Sequence, residues 1–119
     1  MEQIPFQTAV HMLECIVTLA KFIVNKAEDK ADSDTYKTLQ ESLQSCKDAL
    51  ENAELSSQLI ELRPEFEAQI NTLSLMSTNI DVYEGWVNVA NELKIARPTE
   101  IDADAFEAFA RLDIIADSL

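Results

Sequence analysis

The side chains best suited to covalent or acid–base chemistry are few: one histidine, His11, and two cysteines, Cys15 and Cys46. A zinc site or a histidine general base would have to use His11, and a cysteine nucleophile would need the same imidazole. His11 shares a polar helical strip with Glu14, which favours a solvated histidine. The cysteines lack a CxxC spacing, so we expect two buried apolar residues, with a reversible Cys15–Cys46 bond as the alternative.

Carboxylates are abundant, with 22 Asp and Glu against nine Lys and Arg and a net charge of −13. Asp102-Ala-Asp104 begins like a calcium loop, but no glycine follows and the twelfth position is Asp113, where such loops carry glutamate. Neighbouring acids such as Glu65 and Glu67 are expected by chance in so acidic a chain, and catalytic carboxylates also need an enclosed pocket. The sequence therefore predicts a protein that is not an enzyme, without a metal or cofactor.

The negative charge also restricts the partners. Affinity for nucleic acid comes mainly from Lys and Arg neutralising phosphates, and anionic membranes attract the same residues. Residues 10–24 are apolar but interrupted by polar side chains, so we judge them too short and too polar to span a bilayer. The N-terminus is acidic, unlike that of a signal peptide, and two cysteines make no disulfide framework, so we expect a cytoplasmic protein. The charge predicts that it binds neither nucleic acid directly nor a membrane.

The single glycine in 119 residues leaves little material for tight hairpins or phosphate-cradling loops. Hydrophobic residues make up 47% of the chain, which is normal for a globular protein. The expected fold is all-α: one domain over residues 1–119, built as a compact bundle of four to five helices.

The first helix, over about residues 7–28, has an apolar arc roughly twice as wide as a surface helix needs. Its polar side chains fall on one narrow strip, which includes His11, Glu14 and Thr18. We therefore expect this helix to be central in the bundle. Because it has more apolar surface than its own chain is expected to cover, we also predict a homodimer.

The remaining helices are placed by caps and prolines. Asp32, Ser33 or Asp34 can cap a second helix with a narrow apolar seam, while residues 54–63 fit either helix or loop. Arg63–Pro64 is predicted to end this segment, because proline disfavours the helical conformation at the residue before it.

A third helix is expected to follow that boundary, with Phe66, Ile70 and Leu73 on one face. Thr78-x-x-Asp81 resembles a capping box and predicts the start of a fourth helix. Its expected inward row is Val82, Trp86, Val89 and Leu93. Arg97–Pro98 precedes the last helix, where Thr99-x-x-Asp102 is another possible capping box.

The acidic surface is the feature most suggestive of function. Carboxylates on adjacent helical turns can imitate part of the charge array of duplex DNA. Trp86 is expected in the core, or alternatively as an interface anchor. The residues predicted to bind a partner are Glu65, Glu67, Trp86, Glu100, Asp102, Asp104, Glu107 and Asp113.

The hypothesis is a protein-binding module of the inhibitor, immunity or anti-defence type. Its acidic face would dock on a basic, nucleic-acid-binding surface of a nuclease, regulator or defence complex. The alternative is a helical adaptor or assembly subunit that uses apolar contacts, with acidity serving only solubility. A small-ligand binder or enzyme would require a closed pocket lined by His11 or the cysteines.

Overall fold

The fold, taken from a computed structural model that describes residues 5–118, is helical throughout, with no strand in that range. Its elements are α1 (Phe6–Ala27), α2 (Ser33–Leu62), a 3-10 helix (Pro64–Gln69), α3 (Thr72–Glu92), a second 3-10 helix (Glu100–Asp102) and α4 (Ala103–Ser118). The bundle is 47 Å long, close to the rise of about 45 Å expected for the 30 residues of α2. The predicted all-helical class is confirmed.

Helix α1 is the element on which the others pack. α2, α3 and α4 each pack along α1, and they do not pack extensively on one another. Thirteen of the 22 residues of α1 are buried, and Met12, Ile16 and Ala20 are completely inaccessible. The strip containing His11, Glu14 and Thr18 is the part of α1 left partly or fully open to solvent.

By length and composition alone, α1 passes as a membrane-spanning helix, with 22 residues and a mean hydropathy of 1.4 in its most apolar window. The expectation that this stretch is too short and too polar was therefore too strict. Most of that window is buried inside the bundle. Its apolar side chains are covered by α2, α3 and α4, as in the core helix of a folded domain.

The same enclosure bears on the predicted dimer. The case for a second subunit was that α1 carries more apolar surface than its own chain covers. The three helices of its own chain bury that surface from Phe6 to Ala27. The homodimer stays a prediction, now without that argument.

The residue that caps the N-terminus of α2 is Asp32, one of the three predicted from the sequence. Asp32 accepts a hydrogen bond from the Thr35 backbone N–H at 2.7 Å, and this bond holds the pKa of the Asp32 carboxyl below its ordinary value. α2 then runs without a break to Leu62, so residues 54–62 are helix and Arg63 is the C-cap. Ala53 is buried and Ile60 is half-buried, which shows that the apolar seam continues through this stretch.

The third and fourth helix predictions were wrong in their boundaries. After Pro64 the chain forms only the six-residue 3-10 helix, because Ile70 turns to an extended conformation. Asn71 then accepts a hydrogen bond from the Ser74 backbone N–H at 3.0 Å and starts α3. Thr78 lies inside α3, where its hydroxyl donates to the Ser74 carbonyl at 3.2 Å, so it caps no helix.

The end of α3 uses a lysine where glycine is usual. Lys94 has φ of 58°, the left-handed conformation that commonly terminates helices. The Lys30 ammonium donates to the Lys94 carbonyl at 2.9 Å. The chain breaks at Arg97–Pro98 as predicted, but the Thr99 side chain caps nothing.

A matched pair of isoleucines tests the central position of α1. Ile16 is completely buried in α1, whereas Ile114 in α4 is 66% exposed. Ile16→Ala should lower the free energy of unfolding by about 2–5 kcal/mol, because it leaves a cavity among three helices. Ile114→Ala should change it by less than about 0.5 kcal/mol. Urea denaturation followed by circular dichroism measures both, and equal costs would contradict the packing.

Candidate protein-interaction surfaces

One surface groove lies between the polar strip of α1 and the first half of α4. Its volume is about 320 Å³ and it is open to solvent. The α1 wall carries His11, Glu14 and Cys15, and the α4 wall carries Glu107 and Arg111. The groove therefore brings together the histidine and one of the cysteines singled out from the sequence.

His11 is held in a charged network across this groove. Arg111 Nη1 donates to His11 Nε2 at 2.8 Å, which places the imidazole proton on Nδ1, 3.6 Å from Glu14 Oε2. Arg111 Nη2 also pairs with Glu107 Oε1 at 2.5 Å. The network links α1 to α4. Its side chains are exposed to solvent, and ion pairs between exposed side chains contribute little to the free energy of unfolding.

Cys15, His11 and Glu14 follow the order of a nucleophile, a base and an orienting acid. The geometry does not suit that chemistry. Cys15 Sγ is 3.9 Å from His11 Nε2, and the lone pair of that nitrogen already accepts from Arg111. Burial raises the pKa of the Cys15 thiol by more than the nearby Arg111 lowers it. The thiol form is therefore favoured near neutral pH.

No metal site accompanies these groups. Among residues 5–118, no three His, Cys, Asp or Glu side chains are arranged to hold a metal ion. Cys15 and Cys46 are both buried free thiols, and they line different grooves, Cys15 beside α4 and Cys46 beside α3.

Four of the predicted partner-binding acids form one surface, which we call the α4 acidic face: Glu100, Asp102, Asp104 and Glu107. They stand on the second 3-10 helix and the first turns of α4. Asp102 and Asp104 line a shallow depression together with Thr18 and Lys21 of α1. Glu100, Asp104 and Glu107 are exposed and Asp102 is half-buried.

The other four predicted residues lie elsewhere. Glu65 pairs with Arg63 at 3.2 Å, and Glu67 accepts the Phe6 backbone N–H at 2.9 Å, which satisfies the start of α1. Phe6 is about 18 Å of helical rise from Thr18, so these acids lie far along the bundle from the α4 acidic face. Trp86 is 5% exposed and sits in the core.

Asp113 is engaged inside the protein. It accepts the hydrogen bond of the Tyr83 hydroxyl across the contact between α3 and α4. Tyr83 is 4% exposed, and its ring meets Phe109 edge to face at 5.9 Å. Asp113 therefore supports the packing of α4 as well as adding to its charge.

A second groove, between α2 and α3, was not predicted. It has two adjoining sections of about 570 and 410 Å³ that share Ser45, Cys46 and Val82. Phe6 and Leu13 of α1 reach one of these sections. We call this surface the α2–α3 groove. Val82 and Val89 line it, so these members of the expected inward row face the groove. The buried α3 residues with helical spacing are Thr72, Met76, Asn79, Tyr83 and Trp86.

The sequence held a signal for this groove that is visible only in retrospect. The groove side of α2 is a run of short side chains at helical spacing: Ser42, Ser45, Ala49, Asn52, Ala53 and Ser56. Such residues are too small to close the gap to α3.

Comparison with known proteins shows no matching family model, curated relative or similar solved structure.

The Tyr83–Asp113 contact predicts how stability depends on alkaline pH. Burial raises the pKa of the Tyr83 hydroxyl, and the hydrogen bond to Asp113 raises it further. A raised folded-state pKa means that the neutral phenol is stabilised. Its contribution is complete below the ordinary tyrosine pKa of about 10 and is lost as the pH rises above that value.

Tyr83→Phe should therefore flatten the fall in unfolding free energy above about pH 10, while lowering stability at neutral pH through loss of the hydrogen bond. Denaturation at a series of pH values measures this. The control is Tyr36→Phe, which alters the half-buried second tyrosine. The same alkaline slope in Tyr83→Phe and the unmodified protein would contradict the assignment.

Proposed function

We propose that this chain is a non-enzymatic protein-binding module of the inhibitor, immunity or anti-defence type. It docks its acidic face on a basic, nucleic-acid-binding surface of a partner protein. The observation that carries the proposal is how few carboxylates the fold uses. Within residues 5–118 only Glu65 and Glu107 form ion pairs, each with an arginine. Five more carboxylates contact His11 or accept a hydrogen bond: Glu14, Asp32, Asp48, Glu67 and Asp113. Most of the acids in that range are left available to a partner or to water.

The α4 acidic face groups four of these carboxylates on one surface. Glu100, Asp104 and Glu107 are exposed on consecutive turns, in an arrangement that can imitate spaced phosphates. Electrostatic steering would make association with a basic surface fast and sensitive to salt. The same field disfavours direct binding of nucleic acid or an anionic membrane. A cytoplasmic location is proposed with it, since both cysteines are free thiols.

The non-enzymatic part of the proposal rests on the groove between α1 and α4. This groove, which contains His11 and Cys15, is open, and its histidine is already bound by Arg111. A catalytic site would need an enclosed pocket with a free base.

One observation favours the alternative, a helical adaptor or assembly subunit that works through apolar contacts. The α2–α3 groove is open and apolar, and Ile101 and Ile114 are 94% and 66% exposed. In that function the acidity only maintains solubility.

Neutralising the α4 acidic face separates the two functions. The variant Glu100→Gln, Asp102→Asn, Asp104→Asn, Glu107→Gln should lower affinity for a partner captured from lysate at low salt by about tenfold or more, since several charge pairs are lost together. Surface plasmon resonance at increasing salt measures it. Affinity of the unmodified protein should also fall steeply between low and moderate salt.

The control neutralises the same number of carboxylates on α2, away from the α4 acidic face: Asp34→Asn, Glu51→Gln, Glu54→Gln and Glu61→Gln. It should bind within about threefold of the unmodified protein, because only long-range charge changes. Equal loss in both variants would point to diffuse charge alone. No loss in either, with affinity flat across the salt range, would favour the apolar adaptor.

A further inference from the structure

The α2–α3 groove runs along most of the bundle. Leu39 and Val89 line one end of it, and Ser56, Ile70 and Leu75 line the other. The walls are therefore antiparallel, and the distance from Leu39 to Ser56 is about 26 Å of helical rise. The floor is partly apolar, from Phe6 and Leu13 of α1. A trough of this length between two antiparallel helices has the shape of a missing helix in a bundle.

The groove sides are built so that another backbone can come close. On α2 the lining side chains from Ser42 to Ser56 are short, and the one large side chain, Leu39, stands at the end of the groove. On α3 the only glycine of the chain, Gly85, lines the groove. A Cβ added there would meet nothing within 4 Å, so no close contact with another segment of its own chain requires glycine. A glycine inside a helix is less stable than alanine, and nothing packed on Gly85 in this fold accounts for that loss.

The outer flanks of the groove are acidic. With 100° of rotation per residue, Glu41 and Asp48 fall on the flank of α2 that faces away from α1. Asp81 and Glu92 fall on the matching flank of α3. From the antiparallel register, Asp48 lies opposite Asp81. α3 contains no Lys or Arg.

The two lysines of α2 do not offset this charge. Lys37 stands near one end of the groove, beyond Leu39, and Lys47 points to the other side of α2. The flanks therefore carry four carboxylates against one ammonium along the length that an occupant would cover.

We propose that the α2–α3 groove binds an amphipathic helix of a partner protein, with the apolar stripe of that helix in the groove and Lys or Arg on both of its edges. Apolar residues at helical spacing fill the trough, as in other helix-in-groove complexes. The basic edges pair with Glu41 and Asp48 on one side and with Asp81 and Glu92 on the other.

A second copy of this chain does not fit as well. Two copies placed groove to groove would bring the acidic flanks together, and each copy has a net charge of −13. Like charges in an interface cost binding free energy. The site also lies on the opposite side of α1 from the α4 acidic face, because Leu13 and Cys15, which line the two grooves, are about 160° apart around α1. It therefore holds or fails independently of docking through the α4 acidic face.

The test uses a synthetic helical peptide of about 18 residues, long enough to span the groove, with leucines at i, i+3, i+4 and i+7 and lysine or arginine on both flanks. A second peptide keeps the leucines and carries glutamate instead. Trp86 is the only tryptophan and lines the groove, so its fluorescence reports occupancy. The basic peptide should bind with micromolar affinity, one per chain, and shift the Trp86 emission. The acidic peptide should bind at least about tenfold more weakly.

Two pairs of variants locate the site. Asp48→Asn with Asp81→Asn should weaken the basic peptide about fivefold to tenfold, whereas Glu100→Gln with Asp104→Asn removes the same charge from the α4 acidic face and should change affinity by less than about twofold. Gly85→Phe fills the groove and should abolish binding without lowering the melting temperature. Ser77→Phe adds the same ring to an exposed position of α3 outside the groove and should leave binding unchanged.

Several results would overturn the proposal. Absence of binding, equal binding of both peptides, or equal effects of the two charge pairs would each do so. So would a dimer, detected by sedimentation, that Gly85→Phe dissociates, because the occupant would then be a second copy.

Discussion

The whole arrangement depends on enclosing α1. Its apolar side chains occupy nearly the full circumference, and leaving them in water would cost about 25 cal/mol for each Å² of apolar surface. Three helices of the same chain cover it, and the residues that become fully inaccessible are concentrated on α1: Ala9, Met12, Ile16, Ala20 and Ala27. No other helix has such a requirement, since α2 buries only Leu39, Cys46 and Ala53.

Both candidate surfaces follow from this geometry. Three helices wrapped around a fourth cannot all touch each other as well, so gaps remain between neighbours. Where α1 presents its polar strip, the gap beside α4 is charged and holds the His11–Arg111 contact. Where α1 presents Phe6 and Leu13, the gap between α2 and α3 is apolar. One fold thus offers a charged surface and an apolar one on opposite sides of the same helix.

The sequence predicted the elements with the strongest periodicity or clearest breaks. The single glycine indicated the helical class, the wide apolar arc indicated α1, and Asp32 was among the caps proposed for α2. It failed between Pro64 and Thr78, where the Asn71 cap went unrecognised and a threonine inside a helix resembled a cap. Charge alone grouped Glu65, Glu67 and Asp113 with the α4 acidic face, because sequence spacing does not show which carboxylates accept from a backbone N–H or a tyrosine. The short side chains on α2 hint at the α2–α3 groove, but the distance between two helices depends on both of them and on α1, so that pattern alone did not predict it.

Native-state hydrogen exchange tests the central position of α1 most directly. If α1 is the shared core, its amides between Val10 and Val24 exchange only through global unfolding, so their exchange free energies equal the unfolding free energy from denaturation. Amides on the outer face of α2 and in α4 exchange through smaller openings at lower free energy. Exchange from α1 that is as fast as from α4, at a free energy well below global unfolding, would contradict the account.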